Sequence, residues 1–147
     1  MLLEHFIKRL NNIQKSNINF KYTLGTIPTS NEIEQLEQRL NIKIPSKILA
    51  FYLTTNGLIT LDPNFEIKEI NSWECESQFI HFATFNNSIR IYFDTAKLNE
   101  VSEWTIINRE RNCIVTLSIS SFWSNRIWHW LEHKRKIWED DWWTNHY

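Results

Sequence analysis

The sequence predicts an α+β fold: an antiparallel β-sheet packed against helices, with N-terminal helices followed by strands and a C-terminal helix. Three observations predict it. Apolar residues recur at spacings of three and four up to Gly57 and again near the end of the chain. Between those stretches, after Gly57, the apolar period drops to two. The two kinds of element come in segregated runs, which favours α+β over an alternating α/β order.

The first helix is marked by Leu3, Phe6, Leu10 and Ile13, with Glu4, Lys8 and Arg9 elsewhere on the wheel. A connector from about Ser16 to Pro28 follows, and Phe20 and Tyr22 imply that it is packed down. Thr29-Ser30-Asn31-Glu32 has capping-box form: the Thr29 hydroxyl accepts from the backbone three residues on, and Glu32 reaches back. The helix it opens carries Ile33, Leu36 and Leu40. Pro45 starts a third, apolar helix with Ile48, Leu49, Phe51, Tyr52 and Leu53, and Asn56-Gly57 is expected to stop it through a left-handed glycine.

Ile80 and Phe82 then alternate with His81 and Ala83, and Ile89, Ile91 and Phe93 with Arg90, Tyr92 and Asp94. Asn86-Asn87 between them tolerates positive φ, so the pair reads as an antiparallel hairpin. Further strands are expected near Trp104–Ile107 and Cys113–Leu117, and a weaker one near Phe65–Ile70. Ser118 or Ser120/Ser121 caps a last helix with Trp123, Ile127, Trp130 and Leu131 on one face and Lys134-Arg135-Lys136 at its end. The chain has 147 residues with no repeat or linker, which fits one domain over 1–147, with 137–147 a Trp-rich extension.

Composition removes several functions. The net charge of −1 lacks the positive excess that phosphate-backbone binding needs, so no direct nucleic-acid partner is expected. The Met1-Leu2-Leu3-Glu4 start has an acid where a signal peptide is basic, and no apolar run approaches a membrane span, so no membrane association and a cytoplasmic location are expected. Cys75 and Cys113 have no CxxC spacing; two free thiols are the plain reading, with their pairing left open.

Catalysis needs linked roles, and none is present. With only Gly25 and Gly57, a phosphate-cradling loop is excluded, and there is no Gly-x-Ser-x-Gly elbow. His129 and His133 have metal-like spacing, but Trp130 stands where a metalloprotease has its glutamate and no third ligand is fixed by the pattern. No catalytic residue, metal or cofactor is therefore expected.

The stretch from Pro28 to Gly57 is the most family-like: Pro28-Thr29-Ser30, then Ile33, Leu36, Glu37 and Leu40, Ile44-Pro45, Phe51-Tyr52-Leu53 and Asn56-Gly57. Ile91-Tyr92-Phe93-Asp94 and Ser120-Ser121-Phe122 follow downstream. In order and spacing this resembles the SUKH superfamily, over about two-thirds of the chain. Ile44 stands where the family usually has Leu, the Asn86-Asn87 turn lacks its frequent glycines, and the tail after Ile137 is not part of the pattern. The resemblance implies a bacterial, cytoplasmic, non-enzymatic immunity protein that binds and neutralises a cognate polymorphic toxin domain, as a monomer or weak homodimer. The alternative it leaves is a regulatory or scaffold module of the same fold with another intracellular protein as partner.

Five carboxylates, Asp62, Glu66, Glu69, Glu74 and Glu76, crowd the segment around Trp73. Acidic side chains ringing an aromatic anchor would complement the basic site of a nucleic-acid-cleaving toxin, so these six residues are the candidate partner surface. The alternative surface is the tail, with Trp138, Asp140, Asp141, Trp142 and Trp143.

Overall fold

A computed structural model describes residues 3–139. The expected α+β class holds. In chain order the elements are α1 (Leu3–Ser16), β1 (Lys21–Leu24), α2 (Ser30–Leu40), α3 (Ser46–Thr54), β2 (Leu58–Leu61), β3 (Phe65–Ile67), β4 (Cys75–Glu76), β5 (Phe79–Phe85), β6 (Ile89–Asp94), β7 (Thr105–Asn108), β8 (Cys113–Thr116), α4 (Ile119–Ser121) and α5 (Ile127–His133). A π-helical turn, Phe122–Arg126, joins α4 to α5, and short 3-10 turns cover Ile70–Ser72 and Ile137–Glu139.

The strands form one antiparallel sheet in the order β1-β2-β3-β5-β6-β7-β8. The short β4 pairs with the start of β5, while β3 pairs with its end, so one edge of β5 serves two strands. Hydrophobic period decides the faces. Leu58, Phe65, Ile67, Ile80, Phe85, Ile91, Phe93 and Ile106 point to a buried cluster shared with Phe6, Leu10, Ile48, Tyr52 and Trp128 of the helices. A bulge between His81 and Ala83 turns both Phe82 and Ala83 inward, and Phe82 stacks on Phe93 at a centroid distance of 3.8 Å.

Several local signals act as their chemistry dictates. The Thr29 hydroxyl accepts from the Glu32 N–H at 3.1 Å and the Glu32 carboxylate accepts from the Thr29 N–H at 3.0 Å, completing the capping box. Hydrogen bonds to the carboxylate, foremost from the Thr29 backbone and next from the Asn71 amide, hold the Glu32 carboxyl below its ordinary range. Asn86 and Asn87 take φ of 52° and 61°, the left-handed pair that a two-residue hairpin requires. Ser118 caps the last helical stretch through the Ser121 N–H. The buried Glu103 adds a long-range anchor there, accepting from the Ile119 N–H at 2.9 Å.

The structure corrects four expectations. A strand, β1, lies inside the expected connector, because Tyr22 and Leu24 pack on the core while β1 completes the β2 ladder. The strand expected near Phe65–Ile70 ends at Ile67, and Ile70 is buried in a 3-10 turn. Gly57 does not cap α3, which ends at Thr54 with Thr55 extended; its φ of 95° occurs where the chain enters β2. The last helix is interrupted by the π-turn, which inserts an extra residue into its register.

Candidate partner-binding surface

The sheet leaves a second face without helices over β1–β3. Register places Thr23, Ile59, Glu66, Thr84 and Arg90 side by side across five strands. Lys68 shares the phase of Glu66, two residues back. Ile59 and Leu61 project from β2 with 52% and 53% of their surface exposed, unusual for two large aliphatics two residues apart.

At one end of this face the only two glycines of the protein meet. The Gly25 N–H donates to the Gly57 carbonyl at 3.1 Å, and a Cβ on Gly25 would lie 1.8 Å from the Asn56 oxygen. A Cβ on Gly57 would lie 2.9 Å from the Glu69 Cγ, so Glu69 is laid across the glycine pair. Asn56 locks the junction: its amide donates to the Thr26 carbonyl at 2.8 Å and its oxygen accepts from the Ile70 N–H at 2.7 Å. The result is a groove of about 470 Å³ walled by Thr23, Ile59, Glu66, Lys68, Glu69 and Ser72.

The acidic segment is divided by this geometry. Glu66 and Glu69 line the groove and make no ion pair among the described residues. The other three carboxylates are paired. Asp62 accepts from Lys134 at 2.9 Å, and that hydrogen bond holds its carboxyl below the ordinary range. Glu74 pairs with Arg39 at 3.4 Å and Glu76 with Arg109 at 2.9 Å. Arg109 also lies over the Phe79 and Tyr92 rings, 4.2 and 5.1 Å from their centroids, so Glu76 belongs to a separate aromatic patch.

Trp73 is not a surface anchor. It is 0% exposed, ringed by Tyr52, Phe93 and Trp104 at centroid distances of 5.1, 5.6 and 6.2 Å. Its position between two polar stretches gave no periodicity to place it; the Ile70–Ser72 turn drives it inward. Trp138 is likewise buried, 6% exposed, against Phe85 and Trp130. Asp140, Asp141, Trp142 and Trp143 lie outside the described residues. The exposed aliphatics Ile59 and Leu61 were the missed feature. Their signal was present in Leu58-Ile59-Thr60-Leu61, where a short strand carries apolar side chains on both phases.

Among the described residues no group of three or more His, Cys, Asp or Glu is placed to hold a metal, and no helix is long and apolar enough to cross a membrane. A helix-backed antiparallel sheet, with three helices feeding it and a capped helix closing it, is the architecture of the SUKH superfamily. The chain belongs to the SMI1/KNR4 family (SUKH-1), whose sequence model matches residues 27–142. No curated protein matches it significantly. The family is generally non-enzymatic and the superfamily is commonly associated with toxin immunity.

Proposed function

We propose that this protein is a cytoplasmic immunity protein that neutralises a cognate toxin domain by binding it, and that Ile59, Leu61, Glu66 and Glu69 form the contact. Family membership supports the class. The observation that carries the surface is the exposure of Ile59 and Leu61 on a sheet face without helices, beside two carboxylates that are not ion-paired among the described residues. Apolar anchors bordered by charge suit a protein interface: the anchors supply affinity, and the carboxylates steer a basic partner and set the encounter rate. Asp62, Glu74 and Glu76, each held by a cation of this chain, contribute at most a rim.

The test is calorimetry and stopped-flow association with the toxin domain encoded beside this gene, together with growth rescue on co-expression. Ile59→Ala with Leu61→Ala should weaken binding by roughly 2 kcal/mol or more. Glu66→Gln with Glu69→Gln should chiefly slow association, by a factor that shrinks as salt rises. Unchanged affinity and rate in both folded variants would reject the surface. Loss of binding on deleting residues 140–147 instead would move the contact to the tail. Absence of growth rescue by the wild-type chain would reject the immunity reading and leave a regulatory or scaffold role.

A further inference from the structure

Between the helices, α1, α3, α4 and the π-turn line a cleft of about 260 Å³ that shares no lining residue with the groove over β1–β3. Its floor is aromatic. The Trp123 ring lies 4.2 Å from Phe6 and 4.8 Å from Phe51, centroid to centroid, and the Phe51 contact is edge-on. Trp123 stands inside the π-turn and is itself buried; such turns inside α-helices recur at functional sites.

The rim has one sign of charge. Among the described residues that line it, Lys47, exposed in the first turn of α3, is the one ionisable group and there is no carboxylate. Lys47 makes no ion pair among the described residues. Thr54 and Thr55 also border the cleft, but their hydroxyls are committed to the Ala50 and Gly57 carbonyls. The hydroxyls of Ser120 and Ser124 make no hydrogen bond among the described residues and remain available as donors. An apolar floor with a few convergent polar groups is the usual anatomy of a small-molecule site, and this volume suits a ligand of about ten heavy atoms.

We propose that this cleft binds a small apolar carboxylate, an aryl-acetic or short-chain acyl acid, with its hydrocarbon part on Phe6, Phe51 and Trp123 and its carboxylate toward Lys47, Ser120 and Ser124. An amine of the same shape would meet Lys47 with like charge and find no acid to pair with among the described lining residues. A neutral alcohol would gain the floor but not the ammonium. The site lies apart from the β1–β3 surface and does not depend on the immunity reading.

Three probes of one shape test it: phenylacetate, benzyl alcohol and benzylamine, titrated into the full-length protein while the Trp123 indole N–H is followed by NMR. Phenylacetate should shift that resonance with a Kd of about 1 mM, benzyl alcohol about fivefold more weakly, and benzylamine more weakly still. Lys47→Ala should weaken phenylacetate about fivefold and leave benzyl alcohol unchanged. Ala50→Phe, at an exposed wall position, should block all three without loss of thermal stability. No shift by phenylacetate up to about 20 mM, or equal binding of acid and amine, would overturn the proposal. If Ala50→Phe folds normally and phenylacetate still shifts the Trp123 resonance with unchanged affinity, the ligand does not sit in this cleft and the assignment is wrong.

Discussion

On the inner face of the sheet, Phe82 stacks on Phe93, Trp73 meets Tyr52 edge-on, and the helices seal the layer. On the outer face, over β1–β3, the sheet presents Ile59, Leu61 and Glu66, with Lys68 just beyond β3, toward water. Both faces carry large apolar side chains; only one is covered. Burial on the inner side is what stabilises the fold, so substitutions there should act on stability whatever the partner. Outer side chains lose little surface on folding, so substitutions there should act on recognition. A Trp among acids and an Ile among Thr residues thus exchange the roles that composition alone would assign them.

The sharpest way to break this comparison is Trp73→Ala. It should cost about 3–5 kcal/mol of unfolding free energy by urea titration, the range for deleting a large buried aromatic. A loss of partner affinity in a variant of undiminished stability would return Trp73 to the interface. The second test is the junction between the faces. Asn56→Ala leaves the buried Ile70 N–H without its acceptor and the Thr26 carbonyl without its donor, and should cost about 2–3 kcal/mol in the same assay.

A third test sharpens the outer face by pH. His81 lies half-buried beside Tyr92, at a ring-centroid distance of 5.3 Å, and its Nε2 contacts the Ala83 carbonyl and the Thr84 hydroxyl. Burial first, then Lys68, and to a smaller degree Arg90, lower its pKa to about 4, against the opposing pull of the Ala83 contact and Glu76. The imidazole is thus neutral in the folded protein while the unfolded chain takes up a proton near pH 6.5, so its contribution is fully present above about pH 6.5 and is lost as pH falls through about 4. Stability should drop by about 1 kcal/mol over that window, well short of full conversion because the ring is only half-buried and water screens it. In His81→Gln the decline between pH 6.5 and 5 should vanish; its persistence would place the titration elsewhere. The smallest expected effect is Arg109→Ala, which removes an exposed ion pair with Glu76 and two ring contacts, for a loss of about 0.5–1 kcal/mol by thermal melt.

What the sequence by itself determined was everything that depends on neighbours within a few positions. The Thr29–Glu32 box, the Asn86-Asn87 turn with the β5–β6 hairpin it joins, and the Ser118 cap all act between residues no more than a turn or a hairpin apart, whereas the expected alternation of Ala83 with Phe82 is overturned by the bulge that turns both inward. Such contacts carry little loop-closure cost, so short stretches specify them. Only the tertiary structure decided the rest. β1 exists because β2, some 35 residues on, offers it a ladder, which four residues of weak pattern do not announce. Asp62, Glu74 and Glu76 are paired because Lys134, Arg39 and Arg109 reach them from distant elements, while Glu66 and Glu69 line the groove. Gly25 and Gly57 look like separate loop residues along the chain, and only the packed strands reveal that both must lack a side chain for Asn56 and Glu69 to close over one junction. Charge pairing and close backbone approach are properties of distance in space, which one-dimensional spacing does not encode.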